Sequence, residues 1–476
     1  MTDMDRPPPP GGTVLPAGPG PRWSPPGPQP RRRTGAPAWL LAVVVLLGAV
    51  LGAVLVSGPL PATDPAAVPP RATPSLPAVA QRPTVDPVVE REAALVALLQ
   101  RRSAALLARD PVAWTADVDA ASVDFAARQS AVLANVGAVP IAAWRYEYAG
   151  AGIPPTPERK ALLGADAWVA RVILVYQLAD ADSADVRREQ HFTVVRRGGR
   201  WLLADDTDGP TATDVWDLGP VTVLRGARSI VLGTAPAEDL EQYPGQVDAA
   251  AGRVDAVWGQ TWPRVVVVVV PRDQAEMARL LQRTDEAGLD QIAAVTTGEV
   301  GLGVGESADR VIINPAGFGQ LDDIGREVVL THEITHVATR ATGTSDVPIW
   351  LSEGFADYVA YLSADLPRQS VAADVLEQVR AGTGPVALPD VAAFDPVNGD
   401  IAPAYSGSWL AVDLLARTYG QPAVLTFYRA VAQGAGTPDP LGAARTPVER
   451  AFTEVLATDQ ATFEQEWQGY LADLAQ

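Results

Sequence analysis

The chain contains no cysteine, and that single absence removes disulfides, cysteine-ligated metal, a cysteine nucleophile and a lipid-modified cysteine anchor. Histidine is nearly as scarce, with three in 476 residues. Basic charge is also in deficit: the formal net charge is −19, and the first 36 residues, with five arginines and two aspartates, account for +3, which leaves −22 for the remainder. So acidic a chain has no basic face to offer a phosphate backbone, which argues against nucleic-acid binding by the outer part. No G-x-S-x-G sequence occurs, and only His191 would be free to serve a serine nucleophile, so a serine hydrolase has little support.

What is present divides the chain by composition. Residues 1–36 are mostly proline, glycine and arginine, with almost nothing to bury, and read as a disordered cytoplasmic tail. From Ala38 to Val56 come nineteen residues without a charge, directly after Arg31, Arg32 and Arg33. That length crosses a hydrocarbon core as a helix, so a single transmembrane helix is expected over 37–57. The positive-inside rule then keeps the N-terminus in the cytoplasm and places the rest outside. A cleaved signal peptide competes, but the leader before the apolar run is long and no compelling A-x-A site follows. The expected location is the cell membrane, single-pass, with the C-terminal domains extracytoplasmic. Residues 58–87 hold nine prolines and read as an extended linker.

A helical pattern, VVEREAALVALLQRRSAALLARD, opens the segment 88–207, and strand-like runs close it, with Gly198-Gly199 as a hairpin signal. Helices followed by a curved antiparallel sheet, ending on RWLLADD, resemble an NTF2-like α+β domain. His191 falls out of phase with Phe192 and Val194 in one of those strands, and is expected at the surface or a sheet edge. From about 220 strands and helices alternate. Arg264-VVVVVV-Pro271 is a β-branched run that must be covered on both faces, Asp309–Asn314 reads as a further strand, and Thr446-Pro447-Val448-Glu449 opens a helix with a capping box.

Two of the three histidines stand four residues apart in LTHEITHVATR, His332 and His336 around Glu333. Val328, Val329, Ile334, Val337 and Ala338 recur at helical spacing, and Asp322 or Asp323 can cap the start. Residues four apart share one helix face, so both imidazoles can hold one divalent ion, with Glu333 about 100° to the side, beside the metal rather than on it. This is the HExxH arrangement, in which the glutamate is a general base. A catalytic zinc site needs a third ligand. Glu353 supplies a candidate seventeen residues on, in PIWLSEGFADYVAYL, a helix that Pro348 can open. Asp357, one turn later, can accept the spare ring N–H of a ligating histidine. Tyr405 in AYSGSW is the candidate donor to an oxyanion.

HEITH followed by WLSEGFAD resembles the gluzincin metallopeptidases, the peptidase MA-like superfamily of thermolysin and the aminopeptidases. The resemblance implies that His332, His336 and Glu353 ligate Zn2+, that Glu333 is the base, and that Asp357 matches the carboxylate of the family's ExxxD element. It also implies that an edge strand near Asp309–Asn314 lines the cleft and could take a peptide as a further strand, with a wholly buried strand there as an equal alternative. No GxMEN sequence is found, so exopeptidase activity is not implied. The expected architecture is α+β: the tail and anchor, the NTF2-like domain (88–207), then a zincin-like domain (220–476) with a mixed sheet and a helical C-terminal half. The expected function is a membrane-anchored extracytoplasmic zinc metallopeptidase acting on peptide or protein in the cell envelope. The alternative is an envelope binding or scaffold protein whose zinc site is vestigial. Nothing in the sequence fixes the oligomeric state.

Overall fold

Local rules start the first helix. Asp86 accepts a hydrogen bond from Val88 N, and Pro87, with no N–H to lose, takes the first helical position of Pro87–Leu107. The structure, a computed structural model, describes residues 86–297, 308–341, 347–395, 398–434 and 445–476. Helices Pro111–Thr115 and Val123–Asn135 follow, and then an antiparallel meander of four strands in sequence order: β1 (Ile141–Ala151), β2 (Trp168–Leu178), β3 (Val186–Arg197) and β4 (Arg200–Asp205). The β3–β4 turn needs positive φ at both central residues, and Gly198 and Gly199 supply +55° and +82°. Leu95, Leu98 and Leu99 of the first helix pack on Val172, Phe192, Val194 and Leu203 of the sheet. Each such burial is worth about 1.5–3 kcal/mol.

His191 is not at the surface. It is 4% exposed, because the chain after β4 folds back over it: Pro210 O lies 3.1 Å from its Nδ1, and Gly209 leaves no room for a Cβ against the imidazole. Strand alternation located one face correctly and could not see that a connector covers the other.

The second sheet is mixed, in the order β5-β6-β7-β9-β8: β5 (Thr222–Arg225), β6 (Ser229–Gly233), β7 (Val266–Val270), β8 (Ala294–Thr296) and β9 (Val311–Ile313). All five valines of β7 are buried, and the strand runs parallel to both its neighbours, β6 and β9. Of the two readings of Asp309–Asn314, edge strand or wholly buried strand, strand β9 takes the second. Its three apolar residues are all buried, with β7 on one side and β8 on the other, and the edge falls to β8, which pairs antiparallel with β9. Beyond residue 362 the described chain is helical, and the Thr446–Glu449 capping box closes in both directions at the start of Pro447–Val455. One apolar core runs from Trp144 and Tyr176 under the first sheet through the second sheet to Trp467 near the C-terminus.

The membrane-anchored architecture needs correction. Among the described residues no helix is long and apolar enough to cross a membrane. The longest, Pro87–Leu107, carries Glu90, Arg91, Glu92, Arg101 and Arg102, charges that bilayer hydrocarbon does not accept. The span read over 37–57, with the tail and the linker as far as residue 85, lies outside the described residues, while the last two linker residues, Asp86 and Pro87, belong to the start of the first helix. A single-pass location is thus not supported.

Candidate metal centre

Asp322 caps the helix Asp323–Arg340 by accepting from Gly325 N at 2.8 Å, which resolves the choice between the two aspartates. The helix packs between Tyr243–Trp258 and Ile349–Tyr361, with β8 alongside. This enclosure buries a polar run: His332, Glu333, His336 and Glu353 are each at most 1% exposed, and Asp357 is 6%. Buried charge on this scale is costly unless it is paired or coordinates an ion.

The ring nitrogens converge as the four-residue spacing implies. His332 Nε2 and His336 Nε2 lie 3.0 Å apart, and Glu353 Oε2 is 3.3 Å from the first and 3.5 Å from the second. Donors about 2.0–2.2 Å from a tetrahedral zinc stand roughly 3.3–3.6 Å apart, which the two separations to Glu353 match and the imidazole pair, at 3.0 Å, falls slightly short of. Glu353 Oε2 makes no hydrogen bond in this buried setting. Two imidazoles and one carboxylate are a donor set suited to Zn2+. The neighbouring charges point the same way. Burial alone would lower the His332 pKa, but the Asp357 and Glu353 carboxylates hold it well above the ordinary imidazole value. Burial would likewise raise Glu353, and the two imidazoles hold it well below the usual carboxylate range. Burial raises Asp357, more than His332 beside it can offset. The cluster demands positive charge, which protons on the imidazoles supply in part and a divalent cation supplies more fully.

Around the three donors stand the orienting contacts. His332 Nδ1 donates to Asp357 Oδ1 at 2.8 Å, which leaves Nε2 as the lone-pair donor. Ser352 Oγ lies 3.4 Å from His336 Nδ1. Thr296 Oγ1, at the end of β8, lies 2.7 Å from Glu333 Oε2, to which it donates. Neither Ser352 nor Thr296 was visible in the sequence as a site residue. Thr296 sits 37 residues from Glu333 with no local pattern to mark it, whereas a hydroxyl directly before Glu353 is at least a neighbour of the motif. Tyr405 is buried on the helix Ala402–Tyr419, which packs on the Glu353 helix, and its ring meets Phe394 edge-on with centroids 5.0 Å apart. The two helices touch at Gly354, where a Cβ would lie 2.4 Å from Ser408 O.

No family model matches the chain, and no curated protein matches it. Among solved structures it is similar to the M1 zinc metallopeptidase of Deinococcus radiodurans, at 17% identity and a TM-score of 0.31, over 64% of this chain and 61% of that one. A variant of that enzyme bound to a Tyr-Ser-Ala substrate matches with the same figures. A two-domain M1 zinc metallopeptidase variant bound to L-tryptophan matches at 18% identity and a TM-score of 0.30, over 58% of each chain. The chain thus spans about three-fifths of the length of these structures. A likeness at that score carries no argument, and the chemistry of the centre rests on its own atoms.

Proposed function

We propose that the chain is a zinc-dependent peptidase in which His332, His336 and Glu353 hold the ion and Glu333 is the general base. The observation that carries this reading is the set of donor separations, 3.0, 3.3 and 3.5 Å, within a buried acidic cluster. Bound there, Zn2+ would lower the pKa of a water toward about 7 and polarise a carbonyl. Glu333 accepts the proton of that water at its carboxylate and returns it to the departing amine, so that hydroxyl ends on the acyl carbon and hydrogen on the amine. Thr296 holds one oxygen of that carboxylate in place, and Asp357 fixes the tautomer of His332.

The test is zinc content by elemental analysis together with hydrolysis of casein, for wild type and Glu333→Gln. The variant keeps one zinc per chain and loses about 10³-fold in turnover, within the range for a general base. An unchanged rate removes Glu333 from the mechanism. A wild type that holds zinc and cleaves nothing favours the binding or scaffold alternative.

A further inference from the structure

A cavity of about 750 Å³ lies between the first helices, the antiparallel sheet and the connector that leads from β4 toward β5. Its volume is in the range of small-molecule sites. Trp114, Trp144, Tyr146, Phe192 and Trp216 supply aromatic walls, and Arg279, an exposed side chain from a helix that follows β7, reaches the same space. Flat apolar walls of this kind suit a planar ring.

The polar atoms are more informative. Arg102 is 3% exposed, with its guanidinium 3.4 Å over the Trp114 ring. It bonds the Trp114 carbonyl oxygen and Gln129 Oε1, both uncharged, and among the described residues no carboxylate is in ion-pair contact with it, Asp206 and Asp117 acting on it from farther off. Its Nε finds no partner. Trp144, 4% exposed, keeps a buried Nε1–H without an acceptor, and Gln190 Oε1 is buried without a donor. The two lining carboxylates are already engaged: Asp206 takes Arg128 at 2.7 Å and Gln129 Nε2 at 3.1 Å, and Asp217 accepts Asp214 N at 2.8 Å. Three arginines against two aspartates leave the lining at +1. A buried cation bonded only to neutral groups lacks a counter-ion in contact with it, and two idle donors lack an acceptor.

We infer that this cavity binds a small aromatic carboxylate, its ring against the tryptophans and its carboxylate on Arg102 and Trp144. Nothing in this assignment depends on the zinc reading. The test is isothermal titration calorimetry of the full chain with benzoate, 2-naphthoate and indole-3-acetate, each beside its neutral amide. At least one acid is expected to saturate at one per chain with a dissociation constant below about 1 mM, and its amide to bind at least about tenfold more weakly, the loss set by one charged hydrogen bond. Trp144→Phe keeps the ring and removes the N–H, and weakens the acid about tenfold. Arg102→Gln abolishes binding. A cavity that is merely hydrated gives no saturable heat with any of the three acids, and that result overturns the assignment. So does an amide that binds as well as its acid, or an affinity that Trp144→Phe leaves unchanged. Should circular dichroism show Arg102→Gln to be unfolded, the Trp144→Phe comparison decides alone.

Discussion

Two buried ionic clusters in this chain have opposite accounts of their charge. Where the two sheets meet, Arg310 binds Asp182 through two hydrogen bonds of 2.7 and 2.6 Å, and Arg188 binds Asp214 at 3.2 Å with Tyr176 Oη donating to the same carboxylate at 3.1 Å. Two cations meet two anions. At the candidate metal centre three carboxylates, Glu333, Glu353 and Asp357, surround two imidazoles. The balanced cluster pairs each cation with an anion and ties the two sheets together. The acidic one turns three donor atoms toward a single point, and that difference separates an architectural pair from a site.

The largest effect is expected where the acidic cluster loses a donor. Glu353→Ala should abolish stoichiometric zinc and with it all turnover, a loss exceeding the roughly 10–100-fold that an outer partner alone commands. Elemental analysis reads this directly, and a variant that retains full zinc would show that the three donors are not a ligand set. The balanced cluster should fail differently. Asp182→Asn strands Arg310, whose side chain is 7% exposed, and should cost about 3–5 kcal/mol in a denaturant melt while zinc stays bound. Replacing both partners, Asp182→Leu with Arg310→Met, should restore most of that stability. If single and double variants melt alike, charge balance is not what the pair supplies.

Asp357→Asn sharpens the contrast from within the site. It removes a negative charge from an acidic cluster, so a purely electrostatic view of stability predicts a gain. The hydrogen bond to His332 Nδ1 predicts instead a 10–100-fold weaker hold on zinc, measured by competition with a chelator.

How much of this was legible in the sequence follows from the separation of the partners. His332 and His336 are one helical turn apart, and Asp357 follows Glu353 on the next helix, so periodicity alone put each pair on one face. The capping box at Thr446 was readable for the same reason. Arg310 and Asp182 are 128 residues apart, joined only because the two sheets pack, and no local pattern announces them. Strand order is equally silent: Val311–Ile313 is as apolar as an edge strand facing a covered cleft or as an interior strand, and the structure makes it interior. His191 obeyed alternation and was still buried, since a connector distant in the pattern covers it.

The smallest effect tests the carboxylate of the acidic cluster assigned the role of base. Thr296 holds Glu333 through a hydroxyl, a donor that orients the base without neutralising it as an arginine would. Thr296→Val preserves shape and strand preference and removes only that donor, so kcat should fall roughly tenfold, about 1.4 kcal/mol, with KM and zinc content unchanged. Thr296→Ser keeps the hydroxyl and should recover most of the rate. If valine and serine behave alike, the bond to Glu333 is packing rather than positioning, and the geometry of the base must be fixed from the helix side alone.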